Sequence, residues 1–297
     1  MSITEVTGYD TVEKIYIQLL YQCNFSCKHC FHGRQLESPQ QLSVKDLQNI
    51  LTYFRSEYGT RYVTLLGGEP FLHPNFIEIA KWCAAHEWFV ETCTNGHRFV
   101  HRQLPGVAHS LHLLRVSIDG LQRAHDAMRM RGSFAHAIET LCIARTLGIT
   151  TGVTSTVTAD NAQDLPDLAQ LVSRYGVREL KLHQLRLVGN ARTSQLQTAG
   201  KEQLSQLINW IKSGETHLKV IYDDDLDPSK SAAPSASANR GVLDRIEVDP
   251  DLGFTMSCKA VGTNAQAFYW SPKLNTIEYR PSQMDEVQCP VPNVNYA

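Results

Sequence analysis

The sequence has no long apolar run, no large excess of one charge and no basic leader at its start. None of its apolar runs approaches the ~20 residues that a membrane-spanning helix needs, and residues 1–5 form neither a basic nor an apolar segment. The formal net charge is only -2 over 297 residues, which gives no electrostatic footprint for nucleic acid. These absences predict a cytoplasmic protein that binds neither a membrane nor nucleic acid.

Disulfides are not expected either, although the chain has eight cysteines. In a cytoplasmic protein, cysteines indicate thiol or metal chemistry rather than disulfides. Cys23, Cys27 and Cys30 follow the apolar segment 15–20 at the spacing CxxxCxxC. Three soft thiolates on one short loop suit an iron-sulfur cluster, and they leave one iron free for a ligand that is not protein.

Two other uses of this cysteine loop stay open on these residues alone. A structural zinc site needs four closed ligands, and because the other cysteines include no second close pair, His29 or His32 would have to complete it. A thioredoxin-like CxxC pair is expected to open a helix and gains nothing from a third cysteine upstream. The choice depends on residues further along the chain.

Apolar strand-like runs alternate with amphipathic helical stretches over most of the chain. Strands are predicted, with helices between them, at residues 14–21, 62–66, 89–93, 113–118, 151–157 and 179–187. Ser43, with Asp46 as its capping-box partner, predicts the start of one helix. Six successive βα units predict an α/β fold with a parallel sheet, either open or closed into a barrel. In such folds chemistry gathers at the carboxyl ends of strands.

Glycine-rich and polar segments follow the predicted strands. Residues 67–70 read Gly-Gly-Glu-Pro, in which the glycines let the backbone approach a ligand and Glu69 can accept from an ammonium group. A Gly-Pro turn with a solvated glutamate is the alternative for this segment. Residues 94–96 read Thr-Asn-Gly, residues 116–120 read Val-Ser-Ile-Asp-Gly, and residues 131–134 read Arg-Gly-Ser-Phe.

The cysteine loop and these segments, in this order, resemble the radical S-adenosylmethionine (SAM) superfamily between about Tyr16 and Gly189. The resemblance implies a partial (β/α)6 TIM-like barrel, with one 4Fe-4S cluster on the three cysteines of the loop and SAM at the open iron. It also implies reductive cleavage of SAM to a 5'-deoxyadenosyl radical, which takes a hydrogen atom from a substrate C–H bond. A flavodoxin- or ferredoxin-type electron donor is the implied partner.

The same resemblance assigns SAM contacts to particular residues. The matching positions are His29 beside the adenine; Gly67, Gly68, Glu69 and Pro70 at the amino group; Thr94 and Asn95 after the third strand; Ser117 near the ribose or carboxylate, with Asp119 in the same motif; Arg131 at the carboxylate; Thr154 and Ser155 at the ribose; and Gln184 and Leu185 at the adenine. His29 departs from the aromatic residue that the family usually has at that place.

The chain beyond Gly189 is expected to determine the substrate. Residues 216–241, with an acidic run and a Ser/Ala-rich stretch, are predicted to be a flexible linker between a core at 1–215 and an extension at 242–297. The extension is predicted to contain a small β-hairpin and is similar to the start of a SPASM or twitch extension. Only Cys258 and Cys289 lie in it, so no complete auxiliary cluster is expected.

The other cysteines are interpreted one by one. Cys258 has three interpretations: a buried filler, a ligand in a degenerate site, or a hydrogen-atom donor to a substrate radical. The remaining three are expected in the core: Cys83, Cys93 and Cys142.

Three functions fit these observations. The leading hypothesis is a radical SAM enzyme of peptide or natural-product maturation that performs epimerisation, crosslinking or oxidation. The second is a radical SAM enzyme that acts on a sugar or nucleotide, since Phe31 and His32 after the third cysteine are similar to viperin-like dehydratases. The third is a non-catalytic iron- or zinc-binding protein.

Overall fold

The computed structural model describes residues 2–229, 241–256, 268–280 and 294–296. Its strands are β1 Thr11–Gln18, β2 Tyr62–Leu66, β3 Phe89–Thr94, β4 Leu113–Ser117, β5 Thr151–Val157, β6 Glu179–Gln184, β7 Lys219–Asp223, β8 Val242–Val248, β9 Gly253–Thr255, β10 Phe268–Ser271, β11 Thr276–Tyr279 and β12 Val294–Tyr296. Its α-helices are α1 Ile3–Thr7, α2 Val44–Tyr58, α3 Phe76–Ala85, α4 Arg98–His101, α5 Leu104–Val107, α6 Gln122–Met128, α7 Ser133–Thr146, α8 Leu165–Ser173 and α9 Lys201–Ser213. In this described part of the chain, no helix combines the length and the apolar character that crossing a membrane requires.

The described residues fall into two compact units. The first unit contains residues 2–23 and 35–92 together with β8 to β11, and the second contains residues 24–34 and 93–229 together with β12. The cysteine loop therefore begins in the first unit, with Cys23, and continues in the second.

The first unit is built on a sheet with the strand order β11-β10-β9-β8-β1-β2-β3. Its central strand β1 runs parallel to both neighbours, with Ile15 opposite Val63 of β2 and opposite Ile246 of β8. These three side chains are fully buried, and Phe54 of α2 contacts Phe254 of β9 at a ring distance of 5.6 Å. The core of this unit therefore lies between α2 and the sheet.

The second unit carries the strand order β4-β5-β6-β7-β12, in which all pairs are parallel except β7 with β12. Side chains alternate between the two faces of each strand. One row across the sheet is fully or almost fully buried: Val116, Val153, Leu180 and Val220. The adjacent row is polar and includes Arg115 and Glu179, whose side chains pair at 2.7 Å. One face is thus the core, and the other face carries polar groups.

Helix α2 shows why local sequence predicted so much of this fold. The Ser43 hydroxyl accepts from the backbone N–H of Asp46 at 3.0 Å, which satisfies one of the free donors at the start of the helix. Gly59 ends the helix in the left-handed conformation, with φ 66°. Leu47 and Ile50, which face the core, are 0% exposed, and each such burial contributes roughly 1.5–3 kcal/mol. The predicted cap is confirmed.

The structure differs from the sequence-based expectation in the segment 216–241. Residues 219–223, inside the expected linker, form β7 and pair with β6. The physical reason is that β6 would otherwise expose a row of unpaired backbone groups, and that Val220 and Ile221 bury apolar surface there. The division into core, linker and extension stays a prediction.

The expected C-terminal hairpin is present. Phe268 of β10 lies opposite Tyr279 of β11 in an antiparallel pair, which confirms that prediction. Cys258 and Cys289 lie outside the described residues.

Candidate active site

Gly68 lies against the residues that lead into the cysteine loop. Its backbone N–H donates to the Leu20 carbonyl at 2.9 Å, and the N–H of Glu69 donates to the Gln22 carbonyl at 3.0 Å. A Cβ atom on Gly68 would lie only 2.3 Å from the carbonyl oxygens of Tyr21 and Gln22. Glycine is required here because two backbone segments are in direct contact. Within the first unit, the Gly-Gly-Glu-Pro segment is therefore immediately beside the entry to the cysteine loop.

The Glu69 carboxylate is inside the first unit, not solvated. The residue is 0% exposed, and its Oε1 accepts from the backbone N–H of Phe71 at 3.3 Å. Pro70, which is also buried, begins a short 3₁₀ turn after it. Gly67 is tightly packed as well, since a Cβ there would lie 2.7 Å from Leu20 Cδ2. The alternative of a turn with a solvated glutamate is therefore wrong.

In the second unit, the backbone of the cysteine loop is anchored by Gly189 and Asn190. The N–H of Asn190 donates to the Cys30 carbonyl at 2.9 Å, and its side-chain Nδ2 donates to the Cys27 carbonyl at 3.0 Å. Gly189 has φ 56°, and a Cβ on it would lie 2.4 Å from the Cys30 carbonyl oxygen. Sequence reasoning did not assign these two residues a role, although Gly189 stood at the end of the matched segment.

The Thr-Asn-Gly segment, which begins at the last residue of β3, anchors the same loop at its other end. Asn95 Nδ2 donates to Asn24 Oδ1 at 2.8 Å, and Asn95 Oδ1 accepts from the His97 N–H at 2.9 Å. The Thr94 hydroxyl accepts from the Gly96 N–H at 3.1 Å. Thr94 and Asn95 are both buried. Their described contacts are structural, and they fix the loop residue that follows Cys23.

A buried ion pair lies beside the second cysteine. Arg129 Nε donates to Asp119 Oδ2 at 2.5 Å, and Arg129 Nη1 lies 4.0 Å from Cys27 Sγ. Asp119 is 0% exposed, and its Oδ1 accepts from the Thr156 N–H at 2.7 Å. The Nε2 atom of His29 lies 3.7 Å from Asp119 Oδ2. Asp119, two residues after β4, thus connects β5, the end of the cysteine loop and the residue after α6.

The protonation of these groups follows from burial and from Arg129. Burial alone would raise the pKa of Asp119, but Arg129 and His29 lower it to about 2. Burial lowers the pKa of His29 to about 4, so its imidazole is neutral at pH 7. Burial raises the pKa of the Cys27 thiol to about 11, against the opposing effect of Arg129. A metal must therefore displace the Cys27 proton on binding, as metal–thiolate formation generally does.

The residues present fit an iron-sulfur cluster better than a zinc ion. Among the described residues, no three His, Cys, Asp or Glu side chains are grouped as ligands of a single metal ion, whereas a cubane cluster binds each of its cysteines through a different iron. His29 is directed toward Asp119, and His32 is buried against Phe31 at a ring distance of 4.2 Å. Both histidines are thus engaged elsewhere, while the Arg129 cation suits a thiolate-bound, negatively charged cluster.

The predicted ribose contacts are separated by the alternation of β5. Ser117 and Thr154 are register partners on the polar face of the second unit. Ser155 is on the opposite face, is 1% exposed, and donates its hydroxyl hydrogen bond to the Ile118 carbonyl. Of Thr154 and Ser155, Thr154 is therefore the one on the same face of the sheet as Ser117.

Other predicted positions differ in exposure. Arg131 is exposed, whereas Arg129, two residues earlier, is the arginine next to the cysteine loop. Leu185 is buried, and Gln184 is half-buried. Sequence reasoning missed Arg129, and the available signal was that a buried aspartate in the Val-Ser-Ile-Asp-Gly segment needs a cationic partner.

The cysteines expected in the core do not behave alike. Cys83 is 0% exposed, as predicted. Cys142 is exposed, so its prediction is wrong. Cys93 is only half-buried, and its Sγ lies 3.4 Å from the Ser117 hydroxyl. Cys93 Sγ is thus adjacent to Ser117, one of the predicted SAM contacts.

Comparisons with known proteins identify the family of this chain. The model of the Radical SAM superfamily matches residues 17–172. Mycofactocin maturase MftC of Mycobacterium ulcerans is 31% identical over 259 residues, which cover 84% of this chain and 69% of that protein. An AdoMet-dependent heme synthase of Nitratidesulfovibrio vulgaris is 24% identical over 221 residues, which cover 72% of this chain and 60% of the synthase.

The fold is similar to that of Streptococcus suis SuiB bound to S-adenosylmethionine. The TM-score is 0.74 at 13% sequence identity, over 88% of this chain and 64% of SuiB. This likeness confirms the expected α/β fold of the partial TIM-like barrel class. Two further MftC proteins match over 53% of their length, so the chain spans about half to two thirds of the relatives it matches. The chain belongs to the radical SAM superfamily, whose enzymes use a 4Fe-4S cluster and SAM.

Proposed function

We propose that this chain modifies a peptide or natural product by abstracting a hydrogen atom from one of its C–H bonds, in an epimerisation, crosslinking or oxidation. The observation that carries the proposal is the 31% identity to a maturase, MftC, over 84% of the chain. A second support is the likeness to SuiB bound to its precursor peptide SuiA, with a TM-score of 0.67 at 13% identity.

In this proposal one group of residues holds the iron-sulfur cluster. When bound, the cluster supplies the electron that cleaves SAM to a 5'-deoxyadenosyl radical. Cys23, Cys27 and Cys30 hold the cluster, and Gly189 and Asn190 fix the loop carbonyls so that the thiols keep their spacing. Cys27 is itself buried, which limits the access of water to that thiol and so to a reactive intermediate near it.

A further set of residues binds SAM in this proposal. Glu69, beside the loop entry in the first unit, receives the SAM amino group, and Gly68 lets the backbone approach it. Ser117 and Thr154, on the polar face of the second unit, contact the ribose. Asp119 keeps the Arg129 guanidinium in place beside Cys27, so that positive charge remains close to the cluster ligands.

The heme synthase relative favours a second candidate, a porphyrin-type substrate. A sugar or nucleotide substrate was suggested by Phe31 and His32, but these side chains pack against each other, and His32 is only 5% exposed. Packing is a sufficient reason for both residues. The relatives named maturases and synthases place the chain among enzymes, which removes the alternative of a non-catalytic metal-binding protein.

The first experiment tests the cofactor and the reaction class together. Anaerobically reconstituted protein is analysed for iron and sulfide, then for 5'-deoxyadenosine release from SAM under dithionite. About four irons per chain are expected. About eight would contradict the expectation of no auxiliary cluster. Absence of 5'-deoxyadenosine from protein with its full iron content would contradict the proposed activity.

The second experiment tests the substrate class. The holoenzyme is incubated with SAM and, in separate reactions, with a synthetic peptide library, an iron coproporphyrin, and a mixture of nucleotides and nucleotide sugars. Mass change, or altered stereochemistry after hydrolysis, in the peptide reaction is the expected result. Conversion of the porphyrin alone would favour the second candidate and overturn the first.

Two finer parts of the proposal concern Cys258 and the electron donor. If Cys258 donates a hydrogen atom to a substrate radical, Cys258→Ala keeps 5'-deoxyadenosine formation but loses the epimerised product. Unchanged epimerisation in that variant would make the residue a filler. A flavodoxin- or ferredoxin-type protein is the proposed donor, and its ability to replace dithionite tests that assignment.

A further inference from the structure

The polar face of the second unit continues beyond the proposed SAM contacts. The side chains of Arg115 and Glu179 pair with each other directly above Gly152 of β5. These three residues therefore lie on the same face of the sheet. One alternation step further along the strands, Ser117, Thr154 and Lys181 are register partners. The next step on β6 is His183, opposite Thr156 of β5. His183 therefore lies on the same face of the sheet as Ser117. It is displaced from Ser117 by about 7 Å along the strand direction and by two strands, about 10 Å, across the sheet.

His183 is paired with a carboxylate on the neighbouring strand. Its Nδ1 lies 3.2 and 3.3 Å from the two carboxylate oxygens of Asp223, the last residue of β7. The backbone N–H of Gln184 donates to Asp223 Oδ2 at 3.1 Å. Burial by itself would raise the pKa of Asp223, but His183 and this N–H group lower it below its ordinary value. Asp223 is therefore a fixed anion that determines which nitrogen of His183 carries a proton.

The geometry leaves the second nitrogen of the ring available. With Nδ1–H directed to Asp223, the Nε2 atom carries the lone pair in the neutral ring. The side chain of His183 is 37% exposed, whereas that of Asp223 is 9% exposed. A carboxylate that orients a histidine while its other nitrogen meets the substrate is a general acid–base arrangement. The position at the carboxyl ends of parallel strands is where such residues act.

Among the described residues, the charged groups near the pair include Lys181, Arg186 and Asp225. Arg186 Nη1 pairs with Asp225 Oδ2 at 2.6 Å, and Arg186 Nη2 is 4.0 Å from Asp223 Oδ2. Arg186 is thus paired more closely with Asp225 than with Asp223, and the carboxylate of Asp223 remains paired with His183. On β5, the residue facing His183 is Thr156, which is not ionisable.

We propose that His183 is the proton-transfer residue of the substrate site and that Asp223 is its positioning residue. The proposal rests on the proposed function, because the hydrogen-atom abstraction itself is the work of the radical. It adds the class of substrate group: an N–H or O–H next to the carbon that loses its hydrogen atom. The proton of that group passes to His183 Nε2, and the electron pair of the broken bond stays on the substrate. The imidazolium so formed is balanced by Asp223.

The first test needs no known substrate. The holoenzyme is treated with diethylpyrocarbonate, which acylates accessible neutral imidazoles, and carbethoxylation of each histidine is followed by mass spectrometry. Modification of His183 at a rate that saturating SAM changes by less than twofold is expected. Protection of His183 by SAM would assign the residue to the SAM site and overturn the proposal, as would absence of modification.

The second test examines the role of Asp223 by ¹⁵N NMR of histidine-labelled holoenzyme, with His183→Gln identifying the signal. The Nδ1–H tautomer is expected in the wild type and is lost in Asp223→Asn. Asp223→Glu restores it in part. Asp160→Asn is the control, because Asp160 is an exposed aspartate of the same unit, and it leaves the tautomer unchanged. The same tautomer in Asp223→Asn as in the wild type would overturn the positioning role.

The third test measures product formed per 5'-deoxyadenosine with the synthetic peptide library. His183→Gln is expected to lower this ratio at least about 100-fold, and Asp160→Asn, at an exposed aspartate, to keep it within twofold. An unchanged ratio in His183→Gln would overturn the proposal. If the wild type converts no peptide, the proposed substrate class fails, and the acylation and NMR results still decide the role of His183 and Asp223.

Discussion

Arg129 Nε donates to Asp119 Oδ2 at 2.5 Å, and both side chains are buried, with exposures of 9% and 0%. The same guanidinium places its Nη1 at 4.0 Å from Cys27 Sγ. A buried ion pair contributes little net stability against an apolar pair, but removal of one partner leaves a charge without compensation. The pair is therefore best understood as an arrangement that keeps a cation beside Cys27.

Removal of Arg129 is expected to be costly. Arg129→Gln should lower the free energy of unfolding by about 3–5 kcal/mol, because Asp119 is left as an uncompensated buried charge. Arg131→Gln, the matched control on an exposed neighbour, should change it by no more than about 0.5 kcal/mol. Urea denaturation of the metal-free proteins measures both. Equal effects of the two substitutions would contradict the assignment of Arg129 to the site.

The cysteine loop gives the sharpest prediction on the cofactor. Cys27→Ala should abolish the cluster absorbance and 5'-deoxyadenosine formation, because one of the three thiolate ligands is gone. Cys142→Ala, at an exposed cysteine of α7, is expected to keep the iron content and the rate. Normal 5'-deoxyadenosine formation by Cys27→Ala would refute the cluster assignment.

Gly68→Ala tests the contact between the Gly-Gly-Glu-Pro segment and the residues before the loop. Its Cβ would lie 2.3 Å from two carbonyl oxygens, so the backbone must move at a cost of about 1–3 kcal/mol or more. We expect a lower melting temperature and weaker SAM binding, measured by calorimetry on the holoenzyme. At Gly200 a Cβ meets only a side-chain atom at 3.8 Å, and Gly200→Ala should leave SAM binding unchanged. Wild-type SAM affinity in Gly68→Ala would contradict this role of the segment.

Asp227 provides a prediction on pH and stability. Burial alone would raise its pKa, but hydrogen bonds from Ser229 and from Lys212, the latter at 2.9 Å, lower it from 3.8 to about 2. A depressed carboxyl pKa stabilises the fold above the unfolded value, and this stabilisation is lost as the pH falls from about 4 toward 2.

Asp227→Asn should therefore lower the free energy of unfolding by about 1–2 kcal/mol at pH 7. The difference from the wild type should shrink as the pH falls to about 2. Chemical denaturation of the metal-free protein at each pH measures it, with Asp160→Asn on an exposed turn as the control. A difference that is constant over this pH range would show that the Asp227 contacts are not electrostatic.

The elements that sequence predicted well are those fixed by local rules. Strands β2 and β5 were predicted with the boundaries that the structure has, because apolar β-branched runs bounded by turn residues are sufficient to define them. The start of α2 followed from Ser43 and its partner. Strand β7 was missed because its five residues stand between polar segments, and only pairing with β6 makes them a strand.

The site shows the same division. The three cysteines and the Gly-Gly-Glu-Pro segment are contiguous motifs whose chemistry can be read from residue type and spacing. Arg131 stays a prediction for the SAM carboxylate. Arg129, which the motifs did not identify, lies beside Cys27, and its position depends on where α6 ends, at Met128. Boundaries of one or two residues are what propensity and periodicity define least well.

Residues close together in the chain were enough to establish the superfamily and the alternation of strands and helices, and they predict Cys23, Cys27 and Cys30 as the cluster ligands. The contacts between residues far apart in the chain become evident in the folded protein alone. Asn190 donates a hydrogen bond to Cys27, which is 163 positions away in the sequence, and Asp223 pairs with His183, which is 40 positions away. These contacts depend on strand register and on loop packing. Register is set by which faces become buried when the whole sheet forms, and no local pattern contains that information.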